Sequence, residues 1–139
     1  MIPLTLDASV VVKWFYPTQE SDLPQAQSIQ AAFATGEVSL FQPPHWRAEV
    51  AAVLTRLSPV TARRDVSDLC LLDVETVDLA DVYLRASRLA VQLSQHLFDT
   101  LYHVVALSVP GCKLVTADVR YFTKARHAGR IVMLSEWRA

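Results

Sequence analysis

The sequence predicts an α/β chain: a three-layer α/β/α arrangement around a central, mostly parallel sheet of four to five short strands. Two observations carry this. Short apolar strand candidates alternate with helical patterns from one end of the chain to the other, and such alternation demands crossover connections, which favour parallel pairing with both sheet faces covered. Pro17, Gly36, Pro43-Pro44, Pro59, Pro110-Gly111 and Gly129 also fall at the ends of those elements.

Taken in order, Ile2 to Leu6 reads as a strand ending at Asp7, and Ser9 to Phe15 as a compact helix stopped by Pro17. Thr18 to Pro24 is polar and reads as a loop. Gln25 to Thr35, rich in Ala and Gln, reads as a helix with Gly36 in its C′ position, and Val38 to Phe41 as a second strand closed by Pro43-Pro44. From His45 the residues Trp46, Val50, Val53, Leu54 and Leu57 recur at helical spacing until Ser58-Pro59 ends the element. Thr61 to Leu72 is a further helix, Glu75 to Val77 a short strand, and Asp78 the cap of a helix from Leu79 to Leu93. Leu97 to Ser108 is helical up to the Pro110-Gly111 turn. Lys113 to Thr116 is a strand leading to Asp118, Val119 to His127 a helix closed by Gly129, and Ile131 to Leu134 the last strand.

With 139 residues, 52% of them hydrophobic, the chain is expected to form one domain around one core. Thirteen basic and 14 acidic residues give a formal charge of −1, which excludes a global field drawing in nucleic acid or membrane. Any polyanion has to be held by a local patch. Cys70 and Cys112 lack C-x-x-C spacing and lie in or beside apolar stretches, so both are expected to be buried reduced thiols. No apolar run approaches the roughly 20 residues of a membrane span, and the opening segment carries Asp7 and Lys13 without a cleavage pattern. A soluble, cytoplasmic protein is the expectation.

Four acids stand where elements begin or end: Asp7, Glu49, Asp99 and Asp118. In a parallel sheet all strand C-termini emerge on one edge, so Asp7 and Asp118, each just after a strand, belong on one rim. At about 100° per residue, Glu49 falls on the border of its helix's apolar face, and Asp99 lies in the first turn of another helix, so both are placed to bracket that rim. Like charges gathered this closely need a cation, and Mg²⁺ or Mn²⁺ is the simplest one for an all-oxygen donor set. Such a centre suits phosphodiester hydrolysis.

The segments L-D-A-S-V-V-V-K-W-F at 6–15, W-R-A-E-V at 46–50, F-D-T-L-Y at 98–102 and V-T-A-D-V-R-Y-F at 115–122 together resemble the PIN-domain ribonucleases, in particular the VapC-type toxins of bacterial and archaeal toxin–antitoxin pairs. The likeness runs over essentially the whole chain in order and spacing. It implies a PIN-like fold and a metal-dependent endoribonuclease in which Asp7, Glu49, Asp99 and Asp118 form the acidic quartet, supported by the hydroxyls of Ser9 and Thr116. It also implies a cognate antitoxin and a homodimer. His103, four residues after Asp99, departs from the small or apolar residue usual there.

Each acid also has a purely structural account. Asp7 and Asp118 suit helix caps, Asp99 a first-turn acid favoured by the helix dipole, and Glu49 a solvated helix position. Their joint occurrence favours function. Lys13, Arg56 and Arg120, with Arg47, Lys124 and Arg126, flank the acid-bearing segments and are the candidates for holding RNA phosphates. His103 is read first as a core residue, and Trp14, Phe15, Trp46 and Tyr102 as core or interface. Two rival readings keep the architecture without nuclease chemistry: a Mg²⁺-binding signalling domain of the receiver kind, and a scaffold that binds RNA without cutting. The receiver reading wants paired acids after the first strand, whereas Asp7 is followed by Ala8.

Overall fold

The first strand, β1 (Ile2–Leu6), runs through the middle of a five-stranded parallel sheet in a computed structural model that describes residues 1–18 and 21–138. Its neighbours are β2 (Val38–Gln42) on one side and β4 (Lys113–Thr116) on the other. The outer strands are β3 (Glu75–Thr76) and β5 (Ile131–Met133), giving the order β3-β2-β1-β4-β5. The register sets Leu4 beside both Leu40 and Lys113, and Leu6 beside Val115. Chain direction across the sheet reverses between β1 and β4, so the crevice beyond their C-terminal ends is the switch point where doubly wound folds bind ligands. Receiver domains use a different order, 2-1-3-4-5. That separates this fold from the signalling reading.

Among the described residues seven α-helices cover the sheet: α1 (Ala8–Phe15), α2 (Leu23–Ala34), α3 (Trp46–Leu57), α4 (Ala62–Cys70), α5 (Ala80–Leu93), α6 (Leu97–Ser108) and α7 (Val119–Ala125). Helix α1 forms against its own propensity, since Val10, Val11 and Val12 are β-branched and stiff at χ1. Two things override this. Asp7 caps its first turn, and Val10 and Val11 are fully buried, each contributing about 1.5–3 kcal/mol. The main core joins Leu4, Leu6, Leu40, Leu114 and Val115 of the sheet to α1, Ile29, Trp46, Val50 and Tyr102. A second cluster, Val82, Ala86, Leu89, Leu101, Val104 and Val105, welds α5 to α6.

The strand expectations hold to within a residue. The chain departs from them elsewhere. Pro24 sits in the first turn of α2, not in a loop before it, and α2 starts from Asp22 in the left-handed region at φ +57°. Asp78 is not the cap of α5: Leu79 occupies that position without a side-chain cap bond, and Asp78 instead faces the Tyr83 hydroxyl, whose pKa it raises. Helix α7 stops at Ala125 and tightens into a 3₁₀ turn over Arg126–Ala128, with Gly129 at φ +83° turning the chain into β5. Cys112 is buried as expected. Cys70 is exposed, because the amphipathic α4 turns Leu69 inward and carries the next residue about 100° round to solvent. Gln19 and Glu20, within the expected 18–24 loop, lie outside the described residues. Among the described residues no helix is long and apolar enough to cross a membrane.

Candidate active site

Asp7 follows β1 directly, and its position is fixed from three directions. Its backbone N–H donates to Val115 O on β4 at 3.0 Å. One residue earlier, the Gln42 carboxamide accepts from Leu6 N at 2.7 Å and donates to Leu6 O at 2.9 Å, continuing the ladder with a side chain where β2 ends. The carboxylate oxygen Oδ2 accepts both the Ser9 N–H at 3.0 Å and the Ser9 hydroxyl. That hydroxyl oxygen in turn accepts the Ala117 N–H at 3.1 Å, so Ser9 ties the β1–α1 turn to the β4–α7 turn. Across the switch point, buried Thr116 accepts the Asp118 N–H at 3.0 Å through its hydroxyl, and Asp118 Oδ1 accepts the Tyr121 N–H at the start of α7. Asp7 and Asp118 are therefore genuine helix caps, and the cap geometry is what brings both to one rim.

Glu49 and Asp99 arrive from helices. The Tyr102 ring is fully buried, and its hydroxyl donates to Glu49 Oε1 at 2.8 Å, joining α6 to α3. Asp99 Oδ2 accepts from Gln95 Nε2 at 2.8 Å, and Lys124 Nζ donates to Gln95 Oε1 at 3.1 Å, so a cation on α7 polarises the amide that holds Asp99. Each of the four acids thus gives one oxygen to the scaffold. Among the described residues the other oxygen, Oδ1 of Asp7 and Asp99, Oε2 of Glu49 and Oδ2 of Asp118, accepts no protein hydrogen bond.

Asp7, Glu49 and Asp99 line one open cleft of about 590 Å³, together with Ser9, Lys13, Val53, Leu57 and Ala117. Their charges act on one another. Burial pushes Asp7 up from 3.8 to about 6 against the opposing hydrogen bonds from Ser9, and the charges of Asp99 and Asp118 raise it further. Glu49 is raised by burial, opposed by the Tyr102 hydroxyl, and raised again by Asp7 and Asp99. Burial, followed by the charge of Glu49, holds the Tyr102 phenol far above its ordinary value, so it remains a donor.

This acid-lined crevice lies inside a stretch, residues 4–128, that matches the PIN domain family. The chain belongs to the PIN-domain family. PIN domains are generally nucleases and typically bind a divalent metal. No curated protein sequence matches the chain.

The donor set of this PIN domain fits such an ion: four carboxylates, no sulfur or nitrogen, each with one uncommitted oxygen. Among the described residues no three of them converge on a single point. A hard cation that retains several waters and binds through one or two carboxylates suits that spread better than a fully dehydrated one.

Of the three basic residues expected at the substrate, Lys13 lines the cleft and is only 5% exposed. Arg120 is exposed two residues after Asp118, and Arg56 is exposed two turns beyond Glu49 on α3, about 10 Å along the helix. Arg47 does not face the groove: it donates to Leu72 O at 2.9 Å and lies over the Trp46 ring. His103 is fully buried, with Nδ1 2.9 Å from the Tyr121 hydroxyl and Nε2 2.8 Å from Gly129 O. It is a core residue bracing α6 against α7 and the turn into β5. The sequence reading missed Tyr102, Gln95 and Gln42 as holders of the acids. Only the polar residues at the end of β2 and before α6 hinted at the last two.

Proposed function

We propose that this PIN domain, taken as one nuclease domain over 1–139, is a metal-dependent endoribonuclease that cleaves single-stranded or loop RNA. Asp7, Glu49, Asp99 and Asp118 hold Mg²⁺ or Mn²⁺ directly or through water. The observation that carries this reading is the set of four acids, each with one oxygen fixed by the scaffold and, among the described residues, one left uncommitted, with Asp7, Glu49 and Asp99 lining one cleft and Asp118 capping the neighbouring turn. When bound, the cation supplies charge neutralisation at the phosphodiester and makes a water acidic enough to attack it.

The chain's own residues do the rest. Ser9 holds the Asp7 carboxylate and bonds the Ala117 N–H across the two turns, and Thr116 fixes the backbone of Asp118 within its own turn. Tyr102 and Gln95 stop Glu49 and Asp99 from swinging. Lys13, in the cleft wall, offsets the phosphate charge, while Arg56 and Arg120 steer the flanking backbone. Burial, and after it the charges of Asp99 and Asp118, raise the pKa of Asp7, and a divalent ion would favour its ionised form.

By the resemblance noted above, the protein is the toxin of a toxin–antitoxin pair. It acts in the cytoplasm as a homodimer and is silenced by an antitoxin that sets a cationic side chain among the acids. Cleavage of an unstructured RNA with Mg²⁺ or Mn²⁺, compared with EDTA, tests the enzyme. Asp7→Asn and Asp99→Asn should each abolish the metal-stimulated rate, and wild-type cutting by either variant overturns the assignment. Growth arrest on expression, relieved by the product of a neighbouring reading frame, tests the toxin role.

A further inference from the structure

Phe98 immediately precedes Asp99 in the first turn of α6, and its ring is 46% exposed although it belongs to neither apolar cluster. Two aromatic rings contact it, and a third backs the first of them. His45 stacks on it with centroids 4.6 Å apart and planes 28° from parallel, while His96 meets it edge-on at 4.7 Å. Tyr102, the holder of Glu49, meets His45 edge-on at 4.9 Å. The stack reaches the acids through Tyr102, whose hydroxyl donates to Glu49 Oε1 at 2.8 Å, and the charge of Asp99 acts on His45. His96 Nδ1 accepts the Phe98 N–H at 3.0 Å and so fixes the turn that presents the ring. Beyond its interaction with the Phe98 backbone, the His45 ring meets Phe98 face to face and so backs it as a shelf.

We infer that Phe98, backed by His45, is a stacking platform for one unpaired base of the RNA, seating the nucleotide beside the phosphate that the acids receive. The inference rests on the nuclease reading and gives it a substrate contact. Every base offers a π-face, so an exposed aromatic ring accepts any base, and the protein needs no hydrogen-bond code there. A base held in a duplex has its faces covered by its neighbours and cannot reach the ring. The platform therefore selects unpaired RNA and positions the strand with little sequence demand. Its connection through His45 and Tyr102 to Glu49 favours a nucleotide over a protein partner, because a phosphodiester carried on the same strand is what the acids require.

The test is a coupling cycle. Wild type, Phe98→Ala and Phe98→Tyr are assayed with Mn²⁺ on a short unstructured RNA and on versions carrying one abasic nucleotide at each position flanking the mapped cut. Phe98→Ala should raise KM on the intact RNA roughly tenfold to a hundredfold with little change in kcat, and Phe98→Tyr should restore it. One abasic position should raise the wild-type KM by a similar factor and leave Phe98→Ala nearly unaffected. If the wild type cuts, and Phe98→Ala loses equally on every abasic substrate or not at all, the platform is overturned alone. A Phe98→Ala change in sedimentation behaviour with no coupling to the base also overturns it, in favour of a protein-docking ring. A wild type that neither binds nor cuts RNA removes the nuclease reading and the platform together. Phe98 is half exposed, and circular dichroism of the variants checks that the fold is retained.

Discussion

Replacing Asp7 with Asn should make the metal-free protein more stable at neutral pH while removing its response to metal. The magnitude follows from burial. The Asp7 carboxyl is pushed from 3.8 to about 6, roughly two pH units, and each unit corresponds to about 1.4 kcal/mol. The folded chain binds this proton more tightly than the unfolded chain, so ionised Asp7 opposes folding. The penalty is absent below about pH 4, grows between pH 4 and 6, and is complete above that, at about 3 kcal/mol. Residual solvent contact of the half-buried side chain trims this figure. Asn keeps an oxygen to accept from the Ser9 N–H and hydroxyl, so the cap of α1 largely survives. A net gain of about 2 kcal/mol, or roughly 5 °C in Tm, is expected at pH 7.5 in EDTA. Thermal unfolding of both proteins from pH 4 to 7.5 measures it, and taking the difference between them cancels titrations common to both. The gap should close at pH 4. Saturating Mn²⁺ should then reverse the order, since only the wild type gains the binding free energy, about 2.7 kcal/mol at a hundredfold excess over Kd. Asp7→Asn with an unchanged or lower Tm at pH 7.5, or a gap that ignores pH, refutes the electrostatic account of the cluster.

Other perturbations test the scaffold around the acids. Tyr102→Phe removes the donor to Glu49 and should weaken Mn²⁺ binding by roughly 10- to 100-fold in a calorimetric titration, at a stability cost of about 1 kcal/mol. Ser9→Ala strands the Ala117 N–H and removes a donor to Asp7, so Tm should fall by several degrees and cleavage should drop, with Ser9→Thr recovering part of both. His103 is held neutral by burial, which lowers its pKa, whereas the unfolded chain takes up a proton near pH 6.5. Stability from this residue should therefore be lost as pH falls through 6.5, and His103→Gln should flatten that limb of a Tm–pH profile. Arg120→Ala should reduce the salt dependence of RNA binding by about one phosphate contact.

Much of this arrangement was legible in the sequence because it depends on local rules. Asp7 and Asp118 follow strands, parallel strands end on one edge, and that alone brings residues 111 positions apart into one crevice. Glu49 was placed by the apolar period of Trp46, Val50 and Leu54. What was not legible depends on distance in three dimensions. Nothing in a residue list says that the Tyr102 phenol reaches back 53 positions to Glu49, or that the Gln42 carboxamide completes the ladder of β1. Asp78 misled because residue type favours capping, while the extended backbone at Leu79 moved the cap one residue on. Cys70 misled because apolar neighbours in sequence are not neighbours on a helix surface.

The placement of β1 between β2 and β4 has a consequence for how the protein comes into being. β1 is made more than a hundred residues before β4, so one of its edges stays unpaired until residues 113–116 have been synthesised. The Ser9 latch likewise waits for the Ala117 amide. A nascent polypeptide that has not reached β4 therefore carries Asp7, Glu49 and Asp99 without the framework that gathers them, and the cluster arises only when the segment around residues 113–118 docks.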